Sequence, residues 1–155
     1  MAVQLPLQSL TDDVATVKRA IERIGGPTIL VGHSYGGVVI TNAGYDNSNI
    51  TGLVYLAAYA SDQGESLLDL TNDTAANLPP NLFQTNREGF VYLNPELIHE
   101  WFLQDVDPTE ADTMAAIQKP TNQLTLVEKS GPPARKQLPT WYQISENDPV
   151  VPPDY

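Results

Sequence analysis

The stretch ILVGHSYGGVV, residues 29–39, places one serine among three glycines. Within it, Gly32-His33-Ser34-Tyr35-Gly36 has the form G-x-S-x-G. A serine hydroxyl becomes a nucleophile when a sharp strand-to-helix turn holds it clear of a sheet. There the first helical amides can stabilise an oxyanion, and flanking glycines permit close backbone approach. The chemistry implied is acyl transfer through Ser34, with Gly32, His33 and Gly36 supporting the turn. A phosphate-binding loop is excluded, because no G-x-x-x-x-G-K-S/T occurs. A serine nucleophile needs a base, and the chain offers His33 and His99 as its imidazoles. His33 precedes the serine in a strand-like stretch, so alternation sends its side chain to the opposite side and it reads as a packing residue. His99 lies in NPELIHEWFLQ, where helical spacing turns it away from the apolar Leu97, Ile98, Trp101 and Phe102 and towards Glu96 and Glu100. It reads as a solvated residue. Asp12 and Asp13 read as first-turn helix residues that complement the dipole. Asp62 with Glu65 lacks the histidine partners of a metal site, so neither metal nor cofactor is expected.

The elements that must position Ser34 follow from the flanking patterns. LTDDVATVKRAIERIGG sets Leu10, Val14, Val17, Ile21 and Ile24 at three- and four-residue steps, with Ser9 or Thr11 as cap and Gly25-Gly26 as stop. PTILVGHS is a continuous apolar run bounded by turn residues, as in a strand covered on both faces, and GGVVITNAG resumes as a buried helix. Strand signals recur from Ile50 in NITGLVYLAAYA and from Thr140 in PTWYQISENDPVVPP. Strands separated by helices predict a parallel α/β sheet in a single domain over residues 1–155. Residues 61–138 break the pattern: rich in Asn, Thr, Asp and Pro, they carry helix starts at Asn94-Pro95 and Asp107-Pro108. This segment is expected to be a lid of short helices over the carboxyl edge of the sheet, packing through Phe83, Phe90, Trp101, Phe102 and Leu103.

Composition narrows the partners. The chain has 155 residues, 41% of them hydrophobic, and no uninterrupted apolar run long enough to span a membrane. A net charge of −11 with only 8 Lys and Arg opposes binding to nucleic acid, to acidic membrane surfaces and to strongly anionic substrates. The absence of cysteine excludes thiol catalysis and thiolate metal sites. MAVQLPLQSLTDD has no secretory pattern, and a cytoplasmic protein is expected.

Four stretches, VQLPLQSLTDDV, ILVGHSYGG, GLVYLAAYASDQGES and WYQISENDPVVPP, resemble the α/β-hydrolase superfamily over most of the chain. The likeness is to its small carboxylesterases, similar to methyl-ester esterases and hydroxynitrile lyases. It implies a partial α/β-hydrolase fold, a mainly parallel sheet with a helical lid insertion. It also implies Ser34 as nucleophile, the Tyr35 amide as an oxyanion donor and Asp148 as the acid of a Ser-Asp-His order. Without the elbow, Asp148 would read as a turn residue before Pro149. The family's oxyanion loop and histidine segment have no counterpart in this sequence, which resembles a hydrolase trimmed at both ends. Edges left unpaired by such trimming predict a homo-oligomer. The function implied is hydrolysis of small, mostly uncharged esters through an acyl-enzyme. A hydroxynitrile-lyase-like enzyme, and a hydrolase-fold binding domain or fragment without turnover, stay open as alternatives.

Overall fold

A computed structural model describes residues 1–72 and 77–153. Its first helix, α1 (Leu10–Ile24), starts where the Ser9 hydroxyl accepts the Asp12 N–H at 3.0 Å. It ends at Gly25, whose φ of 68° gives the left-handed turn that glycine adopts without strain. Leu10, Val17 and Ile21 are buried along the expected stripe, but Asp13 is buried with them and Ile24 is exposed. Strand β1 (Thr28–Ser34), helix α2 (Gly36–Ala43) and strand β2 (Ile50–Ala58) follow in the expected order, and strand β6 (Thr140–Gln143) closes the sheet. The strands pair in parallel in the order β1-β2-β6, with Leu30 opposite Leu53 and Leu53 opposite Thr140.

Helix α2 packs on β1 and β2, and α1 packs on α2. One face of the sheet is thereby covered: Leu30, Leu53 and Tyr55 lie in the core with Val38, Val39 and Ile40 of α2. The other face is not. Ile29, Val31 and Trp141 are each more than half exposed, and His33 is exposed beside them. The expectation that β1 is covered on both faces is therefore not met, because α1 and α2 stack on the same side and, among the described residues, no helix covers the other. Trp141 lies over Gly52, where an added Cβ would come within 2.9 Å of its ring.

Residues 61–138 are more varied than the expected set of short helices. They contain α3 (Leu67–Thr71), β3 (Phe83–Thr85), β4 (Phe90–Leu93), α4 (Ile98–Trp101), α5 (Pro108–Ile117), β5 (Thr121–Asn122), α6 (Leu124–Val127) and a 3-10 turn at Ala134–Lys136. Strands β3, β4 and β5 form a small antiparallel sheet. Asp107 caps α5 as anticipated, accepting the Thr109 N–H at 2.9 Å with Pro108 in the first turn. Asn94 accepts the Glu96 N–H and its carbonyl receives Ile98, so it opens the turn that leads into the short α4. Of the residues expected to pack, Leu103 is buried, but others are not. Phe83 and Phe102 are exposed, whereas Ile98, Leu103, Ala111 and Ala115 form a small core of their own and Leu67 joins the main one. Among the described residues, no helix is long and apolar enough to cross a membrane.

Candidate active site

The glycines beside Ser34 divide by what a side chain would meet. A Cβ on Gly32 would lie 2.5 Å from the Gly36 carbonyl oxygen, and one on Gly37 would lie 2.4 Å from the Tyr59 carbonyl oxygen. Both contacts are with backbone, so neither position accepts a larger residue without moving the turn. At Gly36 a Cβ would enter open space. Close approach therefore rests on Gly32 and on Gly37, which the G-x-S-x-G pattern does not include, and Gly36 is not sterically required.

Between these contacts Ser34 has φ 52°, a left-handed conformation that is costly for any residue with a side chain. The chain reverses there from β1 into α2, and Tyr35 already has helical angles of −51° and −30°. The N–H groups of Tyr35 and Gly36 stand at the mouth of α2, where position leaves helical amides without carbonyl partners. They lie beside a half-buried serine whose Oγ has no hydrogen-bond partner among the described residues. Below the turn, Thr41 donates to the Gly37 carbonyl at 2.8 Å and its hydroxyl meets that of the fully buried Tyr55 at 2.6 Å.

Asp148 lies in the turn after β6. Its Oδ1 accepts the N–H groups of Val150 and Val151 at 2.8 and 2.9 Å, and Oδ2 has no partner among the described residues. A third residue, unmarked by any motif, joins this turn to the elbow. The Tyr59 N–H donates to the Ser34 carbonyl at 3.2 Å, and its buried hydroxyl donates to the Val150 carbonyl at 2.9 Å. Tyr142 adds a second tie from β6. It stacks on Tyr55 with ring centroids 6.0 Å apart, and its hydroxyl meets both the N–H and the carbonyl of Ala58, which stands opposite Ser34 in the sheet register. Burial raises the Tyr142 phenol above its ordinary range, the Ala58 bond opposes that shift, and the nearby Asp148 charge adds to it.

The histidines are placed apart from Ser34. His33 is exposed on the uncovered sheet face, so alternation holds but the packing role does not, since nothing covers that face. His99 is half-buried, with Nε2 3.0 Å from the Val106 carbonyl oxygen. It links α4 to the loop before α5 instead of standing free in solvent. Neither is hydrogen-bonded to Ser34. Asp62 is occupied by Arg135 and Lys136, each at 2.7 Å, which lower its carboxyl pKa. Among the described residues no His, Cys, Asp and Glu side chains cluster as a metal site. A cavity of about 430 Å³ opens between the ends of β2 and β6, lined by Ala57, Ala60, Arg135, Tyr142, Ser145 and Val151. Ser34 is not part of its wall.

Comparisons with known proteins agree with this geometry. Alpha/beta hydrolase nvfD of Aspergillus novofumigatus is 26% identical over 160 residues, an alignment covering 95% of this chain and 63% of that protein. The crystal structure of polyneuridine aldehyde esterase superposes with a TM-score of 0.73 at 17% identity, covering 96% of this chain and 65% of that one. A pyrethroid hydrolase from Sphingobium faniae JZ-2 gives a TM-score of 0.71 at 21% identity, with 93% of this chain and 61% of that one covered. The chain thus spans less than two thirds of the length of these relatives. The model of the Alpha/beta hydrolase family matches residues 4–155, and with the parallel sheet and the strained serine turn in place, the chain belongs to that family.

Proposed function

We propose that the chain is the nucleophile-bearing part of a serine carboxylic ester hydrolase acting on small, mostly uncharged esters. The observation that carries this reading is the backbone of Ser34, held at φ 52° between Gly32 and Gly37 with the first amides of α2 beside it. Ser34 Oγ would attack the ester carbonyl carbon while a base takes its proton. The Tyr35 N–H would bind the oxyanion, and the alcohol would leave with a proton to give an acyl-enzyme that water then hydrolyses. Asp148 would orient the base. In this chain neither His33 nor His99 meets Ser34, so turnover by the chain as it stands would be slow and would rest on the oxyanion corner and substrate binding. The acidic surface supports uncharged substrates, and residues 61–138 would act as the lid above them. The hydrolase and esterase names of the structural neighbours support ester cleavage as the reaction class.

The test uses a fluorophosphonate probe with adduct mapping by mass spectrometry, beside hydrolysis of p-nitrophenyl acetate. Labelling is expected at Ser34, and Ser34→Ala is expected to abolish it and to lower turnover about a hundredfold or more. Labelling at another residue, or undiminished turnover in Ser34→Ala, would refute the reading. Cyanohydrin cleavage without ester cleavage would replace it with the lyase alternative.

A further inference from the structure

Asp13 lies in the first turn of α1 as expected, but it does not face solvent there. Its side chain is fully buried at 0% exposure, and both carboxylate oxygens are used. Oδ1 accepts the Leu7 N–H at 2.9 Å, and Oδ2 accepts the Tyr35 hydroxyl at 2.8 Å. Burying a carboxylate is costly unless it is hydrogen-bonded, and the neighbouring positions Leu10, Val17 and Ile21 show that this stripe of α1 suits apolar side chains. The two donors identify what the carboxylate holds. Leu7 sits at φ 56°, a left-handed conformation that leucine adopts only when its surroundings impose it. Its N–H is fixed by Asp13, and its carbonyl accepts the Asn122 N–H at 2.9 Å. Tyr35 follows Ser34 directly, and its carbonyl receives Val38 and Val39 at 2.9 and 3.3 Å. The residue is thus gripped at its side chain and at its carbonyl, which leaves its N–H in a fixed direction.

We propose that Asp13 is a positioning residue for the elbow: by holding the Tyr35 hydroxyl it fixes the peptide N–H that faces the developing oxyanion at Ser34. The effect on rate rests on the reading of Ser34 as nucleophile; the effect on backbone order does not. An oxyanion donor gains its value from being held in place before the charge forms, so loosening it lowers rate without weakening substrate binding. Tyr35→Phe removes the link while keeping the ring in the core. Asp13→Asn keeps an acceptor for Leu7 and replaces the oxygen that accepts the Tyr35 hydroxyl with an amide group, so that charge-assisted bond is lost.

Two measurements test this on Tyr35→Phe, Asp13→Asn and the double variant. Hydrogen exchange at the Val38 and Val39 amides, which report on the Tyr35 carbonyl, is expected to speed about tenfold in each single variant while amides of β2 keep their protection. The rate of phosphonylation at Ser34, and kcat for p-nitrophenyl acetate per titrated site, are expected to fall about tenfold with KM little changed. The double variant is expected to be no worse than Asp13→Asn alone, since both remove the same link. Unchanged exchange at Val38 and Val39 in Tyr35→Phe would overturn the proposal, as would wild-type kcat per titrated site or additive losses in the double variant. If Ser34 takes no phosphonate even in the parent protein, the esterase reading fails, and faster exchange in the variants still upholds the positioning role.

Discussion

At the scale of single residues, the glycines of the elbow make separable predictions. Gly37→Ala would drive a methyl group into the Tyr59 carbonyl and the Ala58 side chain, with neither able to rotate away. A loss of about 1–3 kcal/mol in unfolding free energy is expected by denaturant titration. Because Tyr59 spans Ser34 and Val150, the same change is expected to slow phosphonylation of Ser34. Gly36→Ala meets open space inside a helix, and alanine is the better helix former, so stability is expected to hold or to rise by up to about 1 kcal/mol. Equal destabilisation by the two substitutions would contradict this division. The sharp turn at Ser34 and the crowding at Gly32 were legible because the pattern that marks them lies in adjacent positions. Asp13 and Tyr59 were not. The partner of Asp13 lies 22 residues away and that of Tyr59 lies 91 away, and nothing local distinguishes a buried aspartate on α1 from the solvated Asp12 before it.

At the scale of elements, helix α1 and strands β1 and β2 follow from apolar spacing and stop signals, because each is long enough to show its period. The antiparallel strands β3, β4 and β5 were missed for the opposite reason, having only two to four residues each. Helix α3, with five residues, is also short and depends on its cap. Ser66 and Asp69 form a reciprocal capping box, and Lys129 pairs with Asp69 at 2.5 Å. Lys129 first, then the Ser66 N–H and hydroxyl, hold the Asp69 carboxyl at about 2, below its ordinary 3.8. A carboxyl lowered on folding stabilises the folded state above its unfolded value, and that contribution fades as pH falls from 3.8 through about 2. Carbon-detected NMR titration is expected to place the Asp69 midpoint near the lower value, and Lys129→Met is expected to move it upward. An ordinary midpoint in the parent chain would mean that the box and ion pair are not formed. His99 shows the same dependence on context: its polar helical face was readable, whereas its bond to Val106 required the loop to fold back.

At the scale of the whole molecule, the uncovered sheet face is expected to govern behaviour in solution. Ile29, Val31 and Trp141 stand on it, and β1 is a free parallel edge whose seven residues, TILVGHS, contain no Lys, Asp, Glu or Pro to discourage pairing. The chain alone is expected to self-associate at micromolar concentration through this face and edge. Val31→Lys with Trp141→Lys is expected to shift it towards monomer in sedimentation, and a parent chain that sediments as a stable monomer would count against the expectation. A different long-range feature sets the order in which the fold can form. The N-terminal segment is fastened to the far end of the insertion: the Thr11 N–H and hydroxyl donate to Glu128 across 117 residues, Lys119 donates to the Leu5 carbonyl, and Asn122 donates to Leu7. Contacts of such separation form slowly because a long loop must close first. Residues 5–11 are therefore expected to be fixed only once residues 119–128 have folded back onto them. Through Leu7 and Asp13, the turn at Ser34 is tied to the same long-range closure.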